Sequence, residues 1–187
     1  MRSILRLVPV AAMMTVGALA LPLGAQSREG VMGDLLKDVS GVETKVVGLA
    51  RAMPAAAYDW RPGTGVRSVG EVFMHVAADN YLLPALAGVN PPADTGINAK
   101  DYKTAQAFEQ RKLTREQIIT EVEKSFAFLK KAMSDTPDAK LDAQVDMFGT
   151  KASTRGVWIT TATHLHEHLG QLIAYARSNK ITPPWSK

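Results

Sequence analysis

Residues 153–179 read STRGVWITTATHLHEHLGQLIAYARSN, and this stretch decides the fold. Ser153-Thr154 offers a helix start. Leu165, Leu169, Leu172 and Ala176 recur at spacings of three and four, the signature of one buried helix face. Pro183-Pro184 lie just beyond Asn179 and forbid further continuation. The segment predicts a long amphipathic helix with three histidines in its middle.

Working outward, three more segments share that period. Leu35, Leu36, Val39, Val42, Val46, Val47 and Leu49 form a stripe from about Val31 to Met53, and Pro54 stops it. Ser68 and Glu71 make a capping box, in which each side chain serves the other's backbone N–H. Val69, Val72, Phe73, Val76 and Leu83 follow, and that helix ends near Gly88. Thr114 and Gln117 form a second capping box ahead of Ile118, Val122, Phe126, Leu129 and Met133, with Pro137 beyond. Strand alternation is poor, apart from a short stretch at Val145–Phe148. Four such helices predict an all-α four-helix bundle. The connection from Gly88 to Leu113 is too long for a tight turn. Within it, Asp101–Gln110 reads as a short helical piece, and the whole serves either as a lid or as a plain crossover.

The N-terminus reads differently. Met1–Arg6 is short and basic, Leu7–Leu21 is apolar, and Leu23-Gly24-Ala25 supplies small residues for cleavage. This predicts a secretory signal peptide over residues 1–25 and one domain over 26–187. A membrane anchor is the competing reading, but the run is short and carries Pro9, Gly17 and Pro22. The expected mature protein is periplasmic or secreted, with no membrane association after cleavage. The chain has 22 Lys+Arg against 18 Asp+Glu. Loss of Arg2 and Arg6 with the leader leaves the mature chain near +2. Basic residues are scattered, so no nucleic-acid footprint is present. With no cysteine, thiol nucleophiles, disulfides and iron–sulfur clusters are excluded.

The histidines are His75, His164, His166 and His168. Residues four apart on a helix stand one above the other, so His164 and His168 address the same point. His166 is turned about 200° from His164 and faces elsewhere. Gln171 and Tyr175 continue the His164–His168 edge, beside the leucine stripe. His75 lies near the buried stripe of the second helix, and a bundle can bring it against the pair. Three neutral imidazoles suit zinc first, and also nickel or iron, and leave a position open for a small molecule. The plainer alternative is a set of hydrogen-bonded core histidines without metal. His164-Leu165-His166-Glu167-His168 matches the H-x-x-E-H protease pattern. That reading fails because no acidic residue follows His168.

Asp79, one turn after His75, can accept a hydrogen bond from a ligand imidazole. Glu167 is the other carboxylate near the pair and a candidate acid/base group. Asp79 is equally readable as a solvated helix position, and Glu167 reads more readily as a surface carboxylate. Trp60 and Arg61 read as the turn that feeds the second helix.

Several of these pieces together resemble the DinB-like metal-binding family. They are Tyr58-Asp59-Trp60-Arg61-Pro62, Ser68-Val69-Gly70-Glu71 with His75 four residues on, and His164-x-x-x-His168-x-Gly170-Gln171. The resemblance runs over essentially the whole mature chain. It implies a four-helix bundle with a divalent-metal site on His75, His164 and His168. Characterised relatives include bacillithiol S-transferases and mycothiol-dependent maleylpyruvate isomerases, in which the metal activates a small thiol, and homodimers are common. The leader sets this chain apart, since those thiols are cytosolic. The expected function is therefore a metal-dependent transferase or hydrolase acting on an unidentified small molecule. The alternative is a bundle that binds metal or ligand without turnover.

The small-residue site at Ala25 predicts that the exported protein begins at Gln26. Intact-mass measurement on secreted material should give the mass of residues 26–187. A mass that retains the leader would indicate an anchor.

Overall fold

The computed structural model describes residues 29–186. The expected leader and the start at Gln26 lie outside the described residues. The described residues are mostly helical, with five α-helices and one small sheet. In order these are α1 (Gly30–Ala52), α2 (Val69–Leu86), α3 (Tyr102–Glu109), α4 (Arg115–Asp135), the strands β1 (Gln144–Met147) and β2 (Thr150–Ser153), and α5 (Thr154–Ser178). Helices α1 and α2 each pack against both α4 and α5, and α3 lies on α2. The four apolar segments are thus the four long helices. The short helical piece between Gly88 and Leu113 is α3.

The weak strand signal at Val145–Phe148 becomes an antiparallel hairpin, with Val145 opposite Ala152 and Met147 opposite Thr150. The all-α expectation fits the described residues apart from this hairpin. Its β2 strand runs directly into α5, whose cap Ser153 accepts from the Gly156 N–H at 3.0 Å. The hairpin packs on α2 and α5.

Helix α2 is the centre of the molecule. Every residue from Val72 to Pro84 is buried. An amphipathic helix buries one stripe; this one is covered all round. Its start is over-determined. Ser68 Oγ accepts from the Glu71 N–H at 3.3 Å, and Glu71 Oε2 accepts from the Ser68 N–H at 2.7 Å. The next two free amides are satisfied by the preceding turn: Val69 donates to the Trp60 carbonyl at 3.0 Å and Gly70 to the Tyr58 carbonyl at 2.9 Å. That close approach explains Gly70. A Cβ there would stand 3.3 Å from the Tyr58 oxygen. Tyr58 itself stacks on Phe73 and donates its hydroxyl to the Ala50 carbonyl at 2.7 Å, joining the end of α1 to α2.

These two kinds of contact should separate in urea unfolding. Ser68→Ala loses one cap and should cost about 1 kcal/mol, a Tm drop of roughly 2–4 °C for a chain of this size. Phe126 on α4 is fully buried. Phe126→Ala leaves a cavity and should cost about 3–5 kcal/mol.

Candidate metal centre

His75 sits in the second turn of α2, and its side chain is 7% exposed. His164 and His168 stand one turn apart on α5 and face it. The three ring centroids are separated by 5.1 Å (His75–His164), 4.5 Å (His75–His168) and 4.4 Å (His164–His168). One ring nitrogen of each lies within 4.8 Å of those of the other two. The helical phase that selects His164 and His168 also turns His166 away. His166 is exposed and pairs with Asp38 on α1 at 2.9 Å.

Two of the three rings are fixed from behind. His75 Nδ1–H donates to Glu109 Oε1 at 2.6 Å, and Arg67 donates to the other carboxylate oxygen, Glu109 Oε2, at 3.1 Å. Burial raises the Glu109 pKa, but its bonds to His75 and Arg67 outweigh this and hold it below the usual carboxylate value. His168 Nδ1–H donates to Gln171 Oε1 at 2.9 Å. The amide of Gln171 then donates to the Tyr175 hydroxyl at 2.9 Å, and that hydroxyl donates to the Arg67 carbonyl at 3.2 Å. In both rings Nδ1 is committed as a donor, which leaves the Nε2 lone pair for the cluster. A carboxylate or carbonyl behind an imidazole is the usual way a protein orients a metal-binding histidine.

Asp79 completes the group. It is buried, one turn beyond His75. Its Oδ2 lies 2.7 Å from His164 Nε2 and 3.4 Å from His75 Nε2. Burial pushes the Asp79 carboxyl up to about 6. His164 is lowered to about 4 by burial and by its histidine neighbours, and His168 is lowered chiefly by burial. Of this pair, Asp79 takes up a proton at a higher pH than His164. The second carboxylate oxygen, Oδ1, is buried without a hydrogen-bond partner. An orphaned buried carboxylate oxygen beside three converging imidazoles is an environment short of positive charge. The donor set fits a divalent cation. His75, Asp79 and Glu109 also lie close enough to share an ion, but Glu109 already accepts from both His75 and Arg67.

Of the residues singled out by sequence, His75, Asp79, His164 and His168 converge, with Gln171 behind them. Glu167 does not join them: it is exposed. Sequence reasoning missed Glu109. It ends α3, in the long connection, at a position without motif or recognisable spacing to any histidine. Only the docking of α3 on α2 brings it to His75. Trp60 packs edge-on against Tyr175 at 5.2 Å and Arg61 donates to the Val66 carbonyl and to Glu71, as residues of the turn before α2. On the far side of Glu109 a cleft of about 730 Å³ opens, lined by Arg67, Arg111, Lys112 and Arg115 among others. Its guanidiniums are largely engaged, Arg111 on the carbonyls of Asp94 and Thr95 and Arg115 on those of Arg51 and Met53.

Comparison with known proteins places this architecture. No curated protein matches the sequence. The fold is similar to that of a DinB-like protein from Bacillus cereus, at 17% identity and a TM-score of 0.66, covering 82% of this chain and 95% of that one. A DinB-like protein from Bacillus subtilis is similar at 15% identity and a TM-score of 0.63, covering 82% and 98%. A mycothiol-dependent maleylpyruvate isomerase is similar at 14% identity and a TM-score of 0.60, covering 75% of this chain and 60% of that one. At these identities the likeness is one of fold. The model of the DinB superfamily matches residues 40–172. That span takes in all three clustered histidines, and this chain belongs to the DinB superfamily.

Proposed function

We propose that His75, His164 and His168 hold a divalent metal ion, and that the protein is an exported transferase or hydrolase acting on a small molecule. Zinc is the first candidate, with nickel and iron the other ions that an all-imidazole set suits. One observation carries this reading: three imidazoles on two helices converge, and two of them are held from behind by Glu109 and Gln171. An ion bound by three protein ligands supplies a Lewis acid with a position free for a small molecule. The fold shared with a mycothiol-dependent maleylpyruvate isomerase agrees with that chemistry. The apolar leader supports export, and with it a substrate other than a cytosolic thiol.

The chain's own residues then divide the work. Glu109 and Gln171 orient His75 and His168. Arg67 balances the charge of Glu109. Asp79, whose Oδ2 stands 2.7 Å from His164 Nε2, is the carboxylate placed to accept the proton of an incoming molecule. Burial of α2 keeps bulk water from this side of the cluster.

A second reading has its own support. Asp79 Oδ2 stands 2.7 Å from His164 Nε2 and 3.4 Å from His75 Nε2, so this carboxylate is close enough to serve as a fourth ligand. A site closed in this way would bind metal without turnover.

Metal content of untagged protein purified without chelator tests both. His75→Ala, His164→Ala and His168→Ala should each lose at least about tenfold in metal affinity, while His166→Ala keeps it. Glu109→Gln should weaken binding by about 10–100-fold, as loss of an outer partner does. Asp79→Asn should retain the ion if the position is open and lose it if Asp79 closes the site. A wild-type protein free of metal after such purification, and unable to take it up, would overturn the reading.

The metal-free protein offers a pH test of the Asp79–His164 pair. With its pKa lowered from 6.5 to about 4, folded His164 binds fewer protons than the unfolded chain between those values, so its contribution falls as pH falls. Asp79, raised from 3.8 to about 6, has the opposite sign: its contribution is lost as pH rises through that window. Asp79→Asn removes the second effect and leaves the first. Urea unfolding of the metal-free variant should therefore show a steeper loss of stability from pH 7 to 5 than wild type. An equal slope would show that Asp79 holds no proton there.

A further inference from the structure

The β1–β2 turn consists of Phe148 and Gly149, with φ of +55° and +82°. Two residues with positive φ between paired strands are the mark of a tight hairpin whose first position favours asparagine or glycine. Phenylalanine is poorly suited to that backbone. Nor is its ring repaid by burial, for Phe148 is 55% exposed. What it meets is another exposed aromatic side chain. Tyr102, 42% exposed, stands edge-on to it with ring centroids 6.2 Å apart. A large apolar ring kept at a strained, solvent-facing position is a reason to look for a function.

The surroundings say which. Tyr102 opens α3 and lies two turns before Glu109, on the same face of that helix. Glu109 is the residue that holds His75. The Tyr102 hydroxyl feels the carboxylates of Asp79 and Glu109, which oppose its ionisation after burial itself. The hairpin packs against α2 and α5, the two helices that carry the histidines. Two separate elements, α3 with Glu109 and the hairpin packed on the histidine-bearing helices, thus each present one exposed ring. Elsewhere the exposed Trp185 has Lys45 over its ring and approaches Gly48 on α1, away from the cluster.

We propose that Tyr102 and Phe148 form the aromatic half of the substrate site, where they grip the ring of an aromatic small molecule whose polar end reaches the metal at His75, His164 and His168. This rests on the metal reading above and adds to it the class of substrate. Offset and edge-on contacts to two rings select flat, apolar groups. The alternative is a purely structural pair that fastens the hairpin to α3. The two differ in what happens when Phe148 is replaced by a residue the turn prefers. A structural clasp loses stability, whereas a substrate grip relieves strain and loses only ligand.

The experiment compares benzohydroxamate with acetohydroxamate, which share one metal-binding group and differ in a phenyl ring. Cobalt-loaded wild type, Phe148→Gly and Tyr102→Ala are titrated with each, and the visible spectrum reports binding. Wild type should prefer benzohydroxamate by about tenfold, the size that one or two aromatic contacts supply. Both variants should lose most of that preference, with acetohydroxamate affinity unchanged within about twofold. Metal-free Phe148→Gly should melt no lower than wild type. A preference retained in the variants, an equal loss for both ligands, or no preference in wild type overturns the aromatic site while cobalt binding stands. A wild-type protein that takes up no cobalt overturns the metal reading, and this proposal with it.

Discussion

Helix α2 is buried over most of its length, so each polar group it carries must find a partner inside the protein. That requirement orders the other helices. His75 bonds Glu109 and so ties α2 to α3. Asp79 bonds His164 and ties it to α5. Asn80 donates to Ser125 at 3.0 Å, and Tyr81 donates to Glu121 at 2.9 Å, which tie it to α4. Four consecutive turns of apolar side chains supply most of the burial, but apolar packing is not directional. The polar residues set the rotation and height at which the neighbours dock.

The same requirement concentrates charge. Asp79 and Glu109 are both withdrawn from water within reach of His75. Glu109 is stabilised as an anion by its bonds to His75 and Arg67, whereas burial outweighs the same charges at Asp79 and its pKa rises. The two carboxylates thereby take different roles from their environments alone. One is a fixed negative support behind a ring, and the other faces the cluster. A cation among the three rings would satisfy the unpaired oxygen of Asp79, which the protein leaves without a donor.

Distance in the chain explains why the site assembles only in the folded state. α2 and α5 are joined through α3, α4 and the hairpin, and α3 carries Glu109 to His75. The long connection after α2 is therefore more than a crossover. It delivers the residue that orients His75. The β1–β2 hairpin, short and two-stranded, is marginal by itself and is held by its packing on α2 and α5.

Much of this was legible beforehand. Capping boxes at Ser68–Glu71 and Thr114–Gln117, prolines at 54, 137 and 183, and stripes of period 3.6 are local signals, and they delimited the four long helices closely. The i,i+4 spacing of His164 and His168, and the exclusion of His166, follow from helix geometry and needed no partner. The weight of Gly70 was also visible as a motif, though its cause, the Tyr58 carbonyl, was not. Glu109 was invisible, because nothing in its neighbourhood distinguishes it from any surface glutamate until α3 lies on α2. Asp79 was readable as either buried or solvated, and the all-round burial of α2 decided between them. The hairpin was only hinted at, since four-residue strands carry too few alternations to be told from a loop. Local geometry is written in neighbouring residues and can be read from them. The pairing of Glu109 with His75, and of Phe148 with Tyr102, depends on contacts far apart in the chain, which only close packing of the whole molecule determines.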